Sequence, residues 1–518
     1  MSWVTVLLLL FAISTGVALI ARRIKAPYTV ALVFAGIFIG SSHAFEPPHL
    51  TKELLYSLFL PGLVFEAAFH LDAASFFRNK WAIVSLALPG VAASMLITAT
   101  VLAPGAAALG FAALTFGPAL LFAGLIAATD PIAVVALFKS LGAPKRLGVL
   151  VEGESLLNDG TAVVFFTMVS TSLFGGEVTA IGGVIEFVKV VGMGALIGAT
   201  LGLAVSAVIA RVDAAMIEIT LTTIAAYGAF EAAEHFHFSG VIATVVSGMI
   251  LGNYARQKGM SPTTRVAVET FWEYVAFALN SLVFLLIGFE VHLEALLASW
   301  PIIVLAYLAV TLGRTLVVGL VTAALSRTRE KISFRWSLVL VWGGLRGALS
   351  MVLVLALPSD FAQRELLVTM TFGVVLLSLV GQGLTMGPLL RALKVIDANA
   401  KRHGYERLRG GLRASRAALE ALQKLLDRGV VHASVGAALK KDYEASAHAA
   451  EEAIAGLHLD STELEQEERL STQRSLLAVE KAAVLEAQRD GLLAEHAFSE
   501  LMADIDARTV ELDGAGHD

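Results

Sequence analysis

Apolar residues in this chain come in long runs separated by short polar loops. A helix that crosses a bilayer needs about 20 mainly apolar residues. Runs of that kind cover 3–20, 28–43, 54–70, 81–103, 112–138, 147–171, 184–210, 214–234, 239–253, 267–289, 301–325, 336–357 and 366–390. They predict an all-α polytopic membrane protein with about thirteen transmembrane helices. After residue 390 the pattern changes. RASRAALEALQKLL, SAHAAEEAIAGL and QRSLLAVEKAAVLEAQ carry Leu and Ala at i, i+3 and i+4, with Glu, Arg and Lys elsewhere. That is the stripe of a helix with one watery face. Gly410, Gly411, Gly429 and Gly456 punctuate these segments. The chain thus divides into a membrane domain, 1–390, and a helical tail, 391–518, predicted to be cytoplasmic.

Charge sharpens that division. Only 16% of the residues are charged, 57% are hydrophobic, and the mean hydropathy is +0.75. Soluble domains carry about 25% charged residues. Residues 1–390 hold 21 Lys and Arg against 21 Asp and Glu, and the tail holds 17 against 23, so the net charge of −6 belongs to the tail. Alternate loops of the membrane domain also differ. One set, 21–27, 71–80, 139–146, Arg211, 254–266 and 326–335, holds 16 basic residues, and the other holds only Lys52 and Arg364. Positive loops face the cytoplasm, so the N-terminus is expected outside and the tail inside a cell (inner) membrane. The first run has Arg22, Arg23 and Lys25 after it rather than before it, the order of a first span and not of a cleaved signal. There is no Cys, which removes disulfides and thiolate metal sites.

Two runs contain interruptions. In LLFAGLIAATDPIAVVALF, Thr129-Asp130-Pro131 is a helix-start signal set in the middle of the fifth run. A helix that starts there leaves backbone groups that lipid cannot satisfy, so the break must face protein or water. In WSLVLVWGGLRGALSMVLVLAL, Gly343, Gly344 and Gly347 surround Arg346 in the twelfth run. Interrupted spans at matching positions of two halves point to a transport site built from inverted repeats.

The stretch VEGESLLNDGTAVVFF places Glu152, Glu154, Asn158 and Asp159 within one span, where ionisable groups are expensive and functional by default. On a helix Ser155 stacks with Asp159, and Glu154 with Asn158. Asp130, Asp159, Ser155 and Thr129 together make an oxygen-rich set suited to a hard monovalent cation. A buried carboxylate binds either a proton or a cation, and that competition couples their movement in opposite directions.

These motifs, ATDP (128–131), GESLLNDGTA (153–162) and GGLRGA (343–348), resemble the cation/proton antiporter superfamily. The Asn-Asp pair resembles its electroneutral branch of NhaP-like and animal sodium/proton exchangers. The resemblance covers 1–390. It implies thirteen spans, a homodimer, and a core domain that moves against a dimerisation domain. It implies exchange of Na⁺ (or Li⁺, K⁺) for H⁺, one for one, with no cofactor. Asp159 then corresponds to the essential carrier, and Asp130, Thr129 and Ser155 to its Na⁺ co-ligands. Asn158 occupies the position that is Asp in the electrogenic branch. Glu66, in LPGLVFEAAF, corresponds to a third-span acid that helps close or reach the site. Glu154 and Arg346 correspond to a buried structural ion pair. Arg314 is expected to pair with an acid that the sequence does not name.

Other signals carry less. EAAEHFHFSG, 231–240, could be read as a metal site or pH sensor, but sits at a span end where polar residues are ordinary. Lys189 reads as a snorkelling side chain near a helix end. Phosphate loops, zinc motifs, nucleophile elbows and nucleic-acid-binding basic patches are absent from the sequence, so neither an enzyme nor a nucleic-acid partner is expected. A channel would need a ring of oxygens around an open pore, and one carboxylate pair with a buried Arg fits that poorly. A membrane sensor whose tail signals would transport nothing. The partner of the tail is not legible.

Overall fold

The structure is a computed structural model that describes residues 3–24, 27–41, 54–175, 180–255, 259–291, 293–428, 430, 432–455 and parts of 469–515. Lys25, Lys52, Gly429 and Gly456 lie outside the described residues. Two compact units result, Met1–Asp397 and Ala398–Asp518. In the first unit the helices are α1 (Trp3–Ile24), α2 (Tyr28–Ser41), α3 (Leu60–His70), α4 (Ala73–Arg78), α5 (Lys80–Ala87), α6 (Pro89–Ala108), α7 (Phe116–Leu125), α8 (Ile132–Leu141), α9 (Lys145–Leu173) and α10 (Ala180–Ile209). They continue as α11 (Ala215–His235), α12 (Gly240–Ile250), α13 (Pro262–Phe289), α14 (Leu293–Ala298), α15 (Trp300–Leu325), α16 (Phe334–Trp342), α17 (Ala348–Leu355), α18 (Arg364–Leu377) and α19 (Leu384–Ala392). The tail contributes α20 (Asp397–Asp427), α21 (Ala433–Ala455) and α22 (Glu495–Ala515).

The expected count of about thirteen transmembrane helices, two of them interrupted, needs correction. Among the described residues six helices are long and apolar enough to cross a membrane: Lys80–Ala108, Lys145–Leu173, Ile181–Ile209, Thr263–Phe289, Trp300–Leu325 and Arg364–Ala392. Five shorter apolar helices accompany them: Leu8–Ala21, Tyr28–Ser41, Phe116–Leu125, Ile132–Leu141 and Gly240–Ala255. The physical reason is that the second, third and ninth runs form α-helices of only 14, 11 and 11 residues, and that the fifth and twelfth runs are each divided. Their halves, α7 with α8 and α16 with α17, have only 10, 10, 9 and 8 residues. The protein is an all-α, multi-pass membrane protein with two interrupted helices packed in the manner of inverted repeats.

Burial follows a bilayer rather than water. On α15, Leu308, Leu312, Leu316 and Leu320 are exposed at every fourth position, which is a lipid-facing stripe. In the middle of α13 all of Leu282 to Ile287 is buried. There α13 meets α2 at backbone distance. A Cβ added to Gly36 would lie 2.8 Å from the Gly288 Cα, so only Gly allows the approach.

Candidate functional site

The connecting segments of the two interrupted helices touch. The Asp130 N–H donates to the Leu345 carbonyl (2.8 Å), joining the break of one to the break of the other. Each break creates a helix start and a helix end inside the membrane domain, with partial positive and negative charge respectively.

Asp130 serves the starts. Its Oδ1 accepts from the Ile132 N–H (3.0 Å), capping α8, with Pro131 one position earlier than expected, as the cap residue. The start of α17 faces the same carboxylate. A Cβ at Gly347 would lie 2.5 Å from Asp130 Oδ2, so the position must be Gly for the two breaks to meet. Arginines serve the ends. Arg346 donates from Nη1 to the carbonyls of Ala127 (2.7 Å) and Ala128 (3.3 Å), just beyond α7. Arg314, from α15, donates to the Leu340 carbonyl near the end of α16 from Nε (3.0 Å) and Nη2 (2.8 Å). Gly344 lets it in, since a Cβ there would lie 2.6 Å from Arg314 Cδ.

This corrects one sequence expectation. Glu154 is paired with Arg314, not with Arg346. The contact is bidentate, Nη1 to Oε1 at 3.0 Å and Nη2 to Oε2 at 2.9 Å, and Glu154 is 3% exposed. Arg346 does not need that carboxylate as its hydrogen-bond partner because backbone carbonyls at the α7 end receive it. Arg314 thereby gains the partner that the sequence withheld. Only the three-dimensional meeting of α9 with α15 reveals it, because 160 positions separate the two residues.

Helix α9 sorts its polar residues onto two sides, as the four-residue spacing requires. One side faces a cavity of about 100 Å³ lined by Glu66, Thr129, Asp130, Glu152, Ser155 and Asp159, with apolar side chains of α3 and α17 completing the wall. Ser155 Oγ donates to the Thr129 carbonyl (2.6 Å). Asp159 accepts from the Thr129 backbone N–H, while its Oδ1 is buried without a protein hydrogen-bond partner. Glu66 contributes from α3, where His70 Nδ1 lies 3.2 Å from its Oε1.

The other side of α9 faces a cavity of about 30 Å³ that includes Glu154, Asn158, Arg314 and Arg346. Asn158, expected among the cation-binding residues, lines this second cavity and touches that set through the Thr129 hydroxyl. Its Nδ2 donates to the Ala127 carbonyl (3.0 Å) and the Thr129 hydroxyl (3.2 Å), so it fastens the break beside α7. Asn158 Oδ1 is buried without a protein partner.

The remaining signals are local. Glu234 accepts from the Gly240 N–H (3.0 Å) at the start of α12. Lys189 lies 3.4 Å from Glu186, both side chains about half exposed. Among the described residues no group of three or more His, Asp or Glu could hold a metal ion. Asp159 with its neighbours is therefore a place where a carboxylate, a backbone carbonyl and hydroxyls border one small cavity. Such a set can exchange a weakly held hard cation for a proton.

Comparison with known proteins converges on one group. The family described as sodium/hydrogen exchanger, transmembrane, matches residues 6–392. The chain is 37% identical over 445 residues to the Na⁺/H⁺ antiporter NhaG of Bacillus atrophaeus, covering 83% of each chain. It is 39% identical over 403 residues to the Na⁺/H⁺ antiporter NhaH of Halobacillus dabanensis, covering 75% of this chain and 98% of that one. It is 40% identical over 399 residues to the Na⁺/H⁺ antiporter NhaP of Pseudomonas aeruginosa, covering 72% and 92%. The solved structure of the sodium proton antiporter MjNhaP1 from Methanocaldococcus jannaschii shares the fold, with a TM-score of 0.62 at 20% identity over 75% of this chain and 98% of that chain.

Proposed function

From the premise that this chain belongs to the transmembrane sodium/hydrogen exchanger family, as an NhaP-like member of the cation/proton antiporters and not an enzyme, we propose that it exchanges Na⁺ or Li⁺ for H⁺ by competition at Asp159. The observation that carries this reading is the unpartnered Asp159 Oδ1 in a small cavity beside Thr129, Asp130 and Ser155, at the crossing of two interrupted helices. Thr129, Asp130 and Ser155 are the cation's co-ligands, and Glu66 guards the approach from α3. The proton returns to the same carboxylate when the cavity faces the other side. One carrier acid gives one cation per proton, an electroneutral cycle.

The same reading takes each pair of half-helices as one crossing, and α3 and α11 as one crossing each, which gives the chain thirteen crossings. It puts the N-terminus outside and the basic loops inside the inner membrane. Residues 1–390 are the transport domain, working as a homodimer with alternating access. Residues 391–518 are a cytoplasmic tail without a nucleic-acid partner. The test is collapse of a preset pH gradient in proteoliposomes on adding Na⁺, Li⁺ or K⁺, with and without a potassium/valinomycin clamp. Na⁺- or Li⁺-driven collapse that ignores the clamp is expected. Collapse by K⁺ alone reassigns the cation, clamp dependence removes the one-for-one ratio, and no collapse by folded protein overturns the reading.

A further inference from the structure

The tail is not uniformly acidic. Residues 391–416 carry eight Lys and Arg against two Asp and Glu, a net charge of +6, whereas 417–518 carry nine against twenty-one, a net −12. The basic part begins where the last apolar helix, α19, ends at Ala392. Most of it lies in the first half of α20.

The helix arranges these charges. Arg402, Arg409, Arg413 and Arg416 follow one another at seven, four and three residues. At about 100° per residue these spacings confine all four to one narrow stripe. Leu408, Leu412 and Leu419 form a second stripe directly beside it. Arg407, Arg413 and Arg416 are exposed, and Arg409 is half-buried. Arg416 reaches Glu451 of α21 at 2.7 Å, but both side chains are about half exposed or more. An exposed pair of that kind is weak and readily exchanged for another anion.

We propose that the first half of α20 is an interfacial helix that docks on anionic lipid headgroups of the cytoplasmic leaflet. Three observations combine: the charge sign, the placement of four of the eight basic residues on one helix face bordered by leucines, and its start within ten residues of a membrane helix. A fully extended chain covers at most about 3.6 Å per residue, so the stripe is tethered near the headgroups whatever path the linker takes. Basic residues held there attract anionic lipid, each raising partitioning about fivefold. Leucines beside them suit the boundary between headgroup and acyl chain. The inference rests on the tail being cytoplasmic, and not on which cation is carried.

The experiment is hydrogen exchange on the full chain in proteoliposomes of phosphatidylcholine alone or with 30% phosphatidylglycerol, at about 0.1 M and 0.5 M salt. Amides of 400–416 should exchange at least about fivefold more slowly in the anionic vesicles, and high salt should remove the difference. Equal exchange in the two vesicles overturns the proposal and leaves the acidic remainder of the tail as the partner of the stripe. A second arm uses the quadruple variant R402Q/R409Q/R413Q/R416Q. Loss of the lipid-dependent difference assigns it to the stripe, and its persistence overturns that assignment. The wild-type comparison needs no variant to fold.

Discussion

Glu154→Gln isolates the pairing that the structure assigns. Glu154 is 3% exposed and the Arg314 side chain 12%, and two charge-assisted hydrogen bonds of 2.9 and 3.0 Å join them. Gln keeps one oxygen to accept one of the two, but removes the charge. Arg314 then remains cationic in a buried place, still held to the Leu340 carbonyl. Leaving one member of a buried pair uncompensated costs about 3–5 kcal/mol. At about 1.5 °C per kcal/mol for a unit of this size, the unfolding midpoint in detergent should fall by roughly 4–8 °C. Intrinsic tryptophan fluorescence during a thermal ramp reads it. A double-mutant cycle gives the discriminating result. Glu154→Gln should couple strongly to Arg314→Met and weakly to Arg346→Met. A stronger coupling to Arg346, or a midpoint drop below about 1 °C, would refute the reasoning and reinstate the pairing expected from the motifs.

Other predictions follow from the same geometry. Asp159→Asn should reduce exchange to the protein-free background in the proteoliposome assay while the unfolding midpoint holds or rises, since Asp159 Oδ1 makes no protein hydrogen bond and the variant removes a buried charge. Full exchange by this variant ends the carrier role. Asn158→Asp should lower the midpoint, because a carboxylate would oppose the Ala127 carbonyl that the amide now serves. Clamped assays on it should remain electroneutral, and electrogenic exchange by a stable Asn158→Asp protein contradicts the fastening role. Gly347→Ala should cost about 1–3 kcal/mol from overpacking against Asp130, with exchange falling more steeply than stability. Wild-type exchange there would mean that the two breaks do not meet as closely as described.

The site was partly legible because its chemistry is local. The Thr129-Asp130-Pro131 signal marked the first break to within one residue, since a cap and a proline act on their own neighbours. The four-residue spacing separated Ser155 and Asp159 from Glu154 and Asn158, and the two cavities keep that separation. What failed was non-local. Which arginine meets Glu154 depends on how α15 passes α9, and no spacing within a motif encodes it. The orientation of Asn158 was missed for a related reason. Its partners are backbone groups of Ala127 and a hydroxyl of Thr129, about thirty positions away, so a residue next to Asp159 in sequence points elsewhere in space. The length rule for spans also fell short, because half-helices need satisfy it only as pairs.

Asn158 has an evolutionary consequence. A chain that carries one proton per cycle looks one amino-acid change from a chain that carries two. Here that change would first remove a donor from the Ala127 carbonyl and set two acceptors against each other. A lineage moving toward greater proton coupling would therefore have to supply a new donor at the break before, or together with, the new acid. Under the one-for-one exchange proposed above, the architecture of the crossing would protect the ratio of ions carried from drift one substitution at a time.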